Sequence, residues 1–269
     1  MQLPPPLTSS THPLARQARL LAKGPRTRRD ERLFLVEGPR ALAAALDARA
    51  PLVWALVSAA IVEEKAPGAL VDRCHTSGIP VQPVRASLLS RISPTVSGAG
   101  FLAACKLPDD ADDEGALLAR VASGVLLVPW CVQDPGNFGT LVRSAAAFGA
   151  AGCLAVGGAD PWNPKAVRAS AGTIHRFAVA RRADADGAAE CLTGAGYRLV
   201  AAVPRGGADP GAIDWAGRIA LLLGAEVAGL PDPLVKAARP VSIPMRDGID
   251  SLSVAAAGSI LLERALSRP

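Results

Sequence analysis

The stretch DPGNFGTLVRSAAAFGA, residues 134–150, decides how the chain is read. Asp134-Pro135-Gly136-Asn137 is a turn signal, and an apolar, helix-like run follows it at once. Asn137 is a natural helix N-cap. One charge interrupts the run: Arg143, six residues after Asn137. By itself it reads as an exposed helix position or a partner for a carboxylate. An apolar strand, GVLLVPWCVQ, leads into the turn, and another, GCLAVGG, follows the helix. Near-continuous apolar strands separated by helices predict a parallel sheet covered on both faces.

The alternation continues towards the C-terminus. NPKAVRASAG reads as helical, RFAVA as a strand, AAECLTGAG as a helix, and YRLVAAV, RIALLLG and PVSIP as strands. The closing helix, SLSVAAAGSILLERAL, opens at Ser251 and is built from very small residues. Upstream, LPDDADDEG (107–115) is acidic and lacks bulky apolar side chains, which places a domain boundary there. Before it, RLFLVEGPRALAAALDA gives a strand, a turn and a helix. LVWALVSAA, IPVQPV and GFLAAC are further strands, with helices at ALVDRCHTSG and SLLSRIS. A small α/β domain is expected over 33–106, an acidic linker over 107–115 and a larger α/β domain over 116–269.

Residues 1–32 read as a basic arm. They hold Arg16, Arg19, Lys23, Arg26, Arg28, Arg29 and Arg32 against Asp30 and Glu31, an excess equal to the +5 of the whole chain. A concentrated basic segment suits a polyanion such as RNA. Half the residues are hydrophobic, enough for a substantial core, and aromatics are only 4%. No apolar run is long enough for a membrane span, and the first residues lack the order of a signal peptide. A cytoplasmic protein is expected. Five scattered cysteines without a C-x-x-C pair read as buried free thiols, and no histidine sits at ligand spacing, so no metal is expected.

Four loops at strand ends carry unusual polar groups. The first holds Asn137 and Arg143. The second is GAEVAGLP (224–231), a G-x-E-x-x-G rather than a dinucleotide fingerprint. Its Glu226 would repel a pyrophosphate but tolerate a cation or pair with an arginine. The third is IPMRDGIDSLSV (243–254), and the fourth is NPKAVRASAGTIHR (163–176), a second basic patch with Lys165 and Arg168.

Taken in order, these motifs resemble the SpoU (TrmH-like) family of RNA ribose 2′-O-methyltransferases, within the SPOUT superfamily. FLVEGPRALAAAL and GFLAAC are similar to the looser signature of that family's N-terminal substrate-binding domain. The resemblance implies a SPOUT-type parallel sheet with a C-terminal trefoil knot, preceded by a small L30e-like α/β domain. It implies S-adenosylmethionine as cofactor, structured RNA as substrate, ribosomal before transfer RNA, and a homodimer. By matching position, Gly224, Gly229, Ile243, Met245, Leu252 and Val254 would hold the cofactor. Asn137, Arg143, Glu226, Ser251 and Ser253 match the polar active-site positions, with Glu226 a candidate to orient Arg143.

One residue departs from the pattern. The third motif normally reads Ser-Leu-Asn-Val, and here it is Ser251-Leu252-Ser253-Val254. Serine has less reach than an amide and one hydroxyl. The alternative to an active enzyme is therefore a catalytically weak or inactive RNA-binding relative. A Rossmann-type dinucleotide enzyme ranks last, because no glycine fingerprint follows the first strand of either domain.

Overall fold

The computed structural model describes residues 3–62, 64–93 and 100–267. It divides into two compact units: Met1–Pro108 with Trp162–Arg176, and Asp109–Pro161 with Phe177–Pro269. The segment carrying Lys165 and Arg168 thus belongs to the first unit, not to the C-terminal domain in which the sequence placed it.

Two helices open the first unit, α1 (Pro13–Lys23) and α2 (Pro25–Glu31). They correct the expected basic arm. Ala15, Ala18 and Leu21 share one face of α1, and that face is buried in a core with Leu35, Leu56 and Leu102. Arg28 is buried as well, and its Nη1 donates to the Leu21 carbonyl at 2.6 Å, tying α2 to α1. Then follow β1 (Leu33–Glu37), α3 (Pro39–Asp47), β2 (Leu52–Ser58), α4 (Lys65–Thr76), β3 (Val81–Val84), α5 (Ala86–Ile92) and β4 (Phe101–Lys106). The sheet order is β1-β4-β2-β3. Strand β4 is antiparallel to both neighbours, and β2 and β3 are parallel.

The second unit begins where an acidic linker was expected. Leu107, in the first unit, and Ala111 are buried. Asp113 accepts the Ala116 N–H and caps α6 (Glu114–Arg120). The acidic residues there serve a helix N-terminus, which favours negative charge. The elements that follow are β5 (Gly124–Trp130), α7 (Pro135–Phe148), β6 (Gly152–Val156), α8 (Pro164–Ala169, in the first unit), β7 (Val179–Arg182), α9 (Ala188–Gly194), β8 (Arg198–Ala202), β9 (Arg218–Gly224), α10 (Asp232–Ala237), β10 (Arg239–Val241) and α11 (Val254–Leu266). The six strands run parallel in the order β10-β8-β9-β5-β6-β7.

Two strands are shorter than their apolar runs. Strand β5 stops at Trp130, because Cys131 turns to a φ of 55°. Its ladder to β6 skips Val128 and Pro129, where proline has no N–H to donate. Strand β10 stops at Val241 and tolerates Pro240 because it lies at the sheet edge. Helices α6 and α10 had no counterpart in the sequence reading.

Helix α11 packs on α7 through small residues. A Cβ on Gly258 would stand 2.3 Å from Leu141 Cδ2, and Ser144 and Ser259 share a 2.7 Å hydrogen bond. All five cysteines are free, but Cys131 and Cys191 are only half-buried. Burial pushes the Cys105 thiol up to about 12, which removes its nucleophilic form at neutral pH. Among the described residues no helix is long and apolar enough to cross a membrane.

Candidate active site

Parallel strands put all their C-terminal ends on one edge of a sheet, which is where ligands bind in open α/β folds. In the second unit the ends of β8, β9 and β10 open into a cavity of about 340 Å³. That lies within the roughly 300–1,000 Å³ of small-molecule sites. Ala202, Val203 and Pro204 come from the end of β8, and Leu223 to Val227 from β9 and its turn. Ile243, Met245 and Ser251 to Val254 come from the long segment before α11.

All six positions expected to hold a cofactor, Gly224, Gly229, Ile243, Met245, Leu252 and Val254, line this one cavity, as do Glu226, Ser251 and Ser253. The glycines earn their place sterically. A Cβ on Gly224 would lie 2.4 Å from the Gly229 carbonyl carbon, so only glycine lets this turn close on itself. Gly229 itself has a φ of 65° and donates to the Ala225 carbonyl at 2.9 Å.

Asn137 and Arg143 are not among the cavity-lining residues, and both depart from expectation in detail. The N-cap of α7 is Asp134, which accepts the Asn137 N–H at 2.9 Å. Asn137 is thereby freed from capping, and its Nδ2 donates to Glu226 Oε1 at 2.8 Å. A carboxylate only accepts, so the amide nitrogen must face it. Arg143 is exposed and makes no hydrogen bond or ion pair among the described residues, so Glu226 does not orient it. Burial pushes the Glu226 carboxyl up. Hydrogen bonds from the Asn137 side chain, its own N–H and the Gln133 N–H outweigh this and hold it below the ordinary 4.5, with Asp134 acting in the opposite direction.

The two serines also separate. Ser253, not Ser251, is the N-cap of α11, its Oγ accepting the Ala256 N–H at 3.2 Å. Ser251 precedes the helix and lines the cavity.

Two positioning contacts had no sequence signal. Ser242 Oγ donates to the Val203 carbonyl at 3.0 Å and accepts the Gly207 N–H at 2.8 Å, fastening the β8 loop to β10. Arg205 Nη2 donates to the Ile249 carbonyl at 2.9 Å, anchoring the segment before α11. Neither residue type is diagnostic at such spacing; both contacts depend on the sheet order.

In the first unit Arg168 is not presented as part of a simple basic patch. Its Nη1 pairs with Glu37 Oε2 at 2.9 Å, and the Glu37 side chain is 1% exposed. Of the basic residues of 1–32, Arg16, Arg19, Lys23, Arg26 and Arg29 are exposed, Arg32 is half-buried against the Pro108 carbonyl, and Arg28 is buried.

The cavity is of small-molecule size and mostly apolar. Its wall is apolar, from Val203, Leu223, Ile243 and Leu261, and its floor at Gly224–Gly229 is close backbone that can hydrogen-bond polar edges. The chain is similar to an S-adenosylmethionine-bound rRNA methyltransferase from Sinorhizobium meliloti, with a TM-score of 0.80, 28% identity and 97% of each chain covered. It is similar also to the SpoU methyltransferase AviRb from Streptomyces viridochromogenes in complex with the same cofactor, with a TM-score of 0.79, 26% identity, and 93% of this chain and 96% of that one covered. The 23S rRNA (guanosine(2553)-2′-O)-methyltransferase RlmP of Bacillus subtilis is 30% identical over 188 residues, covering 69% of this chain and 72% of its own. The model of the SpoU rRNA Methylase family matches residues 124–263, just over half of the chain. The chain belongs to the SpoU rRNA methylase family.

Proposed function

We propose that the chain transfers a methyl group from S-adenosylmethionine to a ribose 2′-hydroxyl of structured RNA, ribosomal RNA before transfer RNA. The observation that carries this reading is the convergence of all six expected cofactor positions on one cavity at the sheet edge. The cofactor is S-adenosylmethionine; it supplies a methyl on a cationic sulfur, and the neutral thioether leaves with the bonding pair. The wall residues Ile243 and Leu252 and the backbone at Gly224 and Gly229 hold and orient it. Arg143 keeps its donors for the RNA. A guanidinium is not a practical base, so Arg143 stabilises the developing alkoxide or clamps the adjacent phosphate, and the hydroxyl proton passes to solvent. Asn137 holds Glu226 in place at the cavity.

In this reading the chain is a cytoplasmic homodimer with its C-terminal segment in a trefoil knot. RNA meets the exposed face of α1, where Arg16, Arg19 and Lys23 recur at helical spacing, together with Arg26 and Arg29. Lys165 and the remaining donors of Arg168 extend it. The alternative, a catalytically weak relative, is favoured by one contact: the Ser253 oxygen is committed to capping α11.

Labelled methyl transfer to ribosomal and to transfer RNA, with nucleosides analysed by mass spectrometry, tests the reading. A 2′-O-methylated product is expected. Cofactor binding without transfer to either RNA would select the inactive relative. Deleting 1–32 would dismantle the first core, so the RNA face is tested by R16Q/R19Q/K23Q. Its log-log salt slope for binding should fall by about 2–3; an unchanged slope removes α1 from the interface.

A further inference from the structure

Glu226 is the sole ionisable side chain among the described residues that line the cavity. Every other lining residue is apolar, glycine, proline or serine. Its side-chain partner, Asn137, is neutral, so the pair keeps a full negative charge. Glu114, a half-buried carboxylate of the same unit, is answered by Arg182 instead. A cavity carrying one anion and no cation distinguishes ligands by net charge.

We propose that Glu226 selects the cationic methyl donor over its neutral product, and so makes the cavity release the thioether after transfer. The inference rests on the cavity being the cofactor site. S-Adenosylmethionine carries one ammonium, one carboxylate and one sulfonium, for a net charge of +1. The demethylated product has lost the sulfonium charge and is neutral. The two are otherwise nearly the same shape, so wall contacts bind both alike, and the difference must come from electrostatics. A sphere of about 340 Å³ is roughly 9 Å across, close to the ~8 Å screening length at physiological ionic strength. A charge anywhere inside therefore feels Glu226. The hydrogen bonds to its carboxylate keep it ionised well into the acid range, so the selection operates throughout neutral pH. Because Glu226 is exposed, the effect is moderate and falls with salt.

The test is calorimetric titration of the full chain and of E226Q with three probes: S-adenosylmethionine, S-adenosylhomocysteine and sinefungin, whose amine restores a cation where the sulfonium stood. E226Q should weaken both cations by about three- to tenfold, less than a close, desolvated pair would give, because Glu226 is exposed. It should leave the neutral product within twofold. In the unmodified chain the preference for the cations should shrink at 1 M salt, where the screening length is about 3 Å. Equal weakening of all three ligands would overturn charge selection while leaving the cavity as the cofactor site. No change for any ligand would overturn charge selection alone, and no binding of any of the three to the unmodified chain would overturn the cavity as the cofactor site.

Discussion

The two units treat their polar side chains in opposite ways. In the first, Glu37 ends β1 with its side chain 1% exposed and takes a cation, Arg168, at 2.9 Å. His175 is half-buried against Phe34, with ring centroids 5.8 Å apart, and its buried Nε2 has no partner among the described residues. In the second, Glu226 follows β9, is exposed, takes the neutral Asn137, and has Arg143 on the same helix as Asn137 without pairing to it. A charge that is neutralised by a neighbour serves folding. A charge left uncompensated at a cavity, and a cation left without an anion beside it, are available to a ligand. The contrast separates a glutamate and an arginine that form an ion pair, Glu37 and Arg168, from a glutamate and an arginine that do not, Glu226 and Arg143.

The strongest way to break the contrast is Arg143→Ala. If Arg143 is kept for the RNA, methyl transfer should fall by about 10³, the scale of a lost oxyanion donor, with the unfolding midpoint unchanged. Retained turnover would make Arg143 an ordinary surface residue. Next comes the acid response of the first unit. Burial, with Arg176 adding to it, pushes the His175 imidazole from 6.5 down to about 4. The unfolded chain therefore binds a proton first. Stability present above pH 6.5 is lost as pH falls towards 4, by up to about 3 kcal/mol. His175→Phe should flatten that part of the stability profile, and a profile unaltered by it would move the acid sensitivity elsewhere.

Arg168→Ala leaves Glu37 buried without its cation. Because the Arg168 side chain is 42% exposed, the cost is set below that of a fully buried pair, at about 2 kcal/mol in denaturant unfolding. Adding Glu37→Gln should recover part of it, and a failure to recover any would mean that the pair is not the source. The smallest effect is expected from Ser253→Asn. Both residues cap helices well, so stability should move by less than about 0.5 kcal/mol. Methyl transfer should hold or rise if serine is a shortfall, and a clear drop would mean that the site is adapted to serine.

Much of this was legible in the chain. Apolar runs at 125–130, 152–156 and 218–224 read as buried parallel strands from their length and spacing, and the sheet carries all three. Glycine at 224 announces a close approach because nothing larger fits. Local turn and glycine chemistry, and the period of hydrophobicity, act over a few residues and so survive in one dimension. The partners did not. Asn137 was legible as a cap, yet Asp134 takes that role and Asn137 reaches Glu226, 89 residues on. The basic run of 1–32 was legible as charge, yet the spacing of Ala15, Ala18 and Leu21 draws it into a core and buries Arg28. Arg168 read as part of a second basic patch, yet Glu37 at the end of β1 pairs with it. Which strands lie side by side is decided by burial over the whole molecule, and the partner of a charge is whatever that packing brings within a few ångströms. The sequence by itself determined the elements and the kinds of chemistry available. The tertiary structure alone decided which carboxylate was neutralised and which was left facing the cavity.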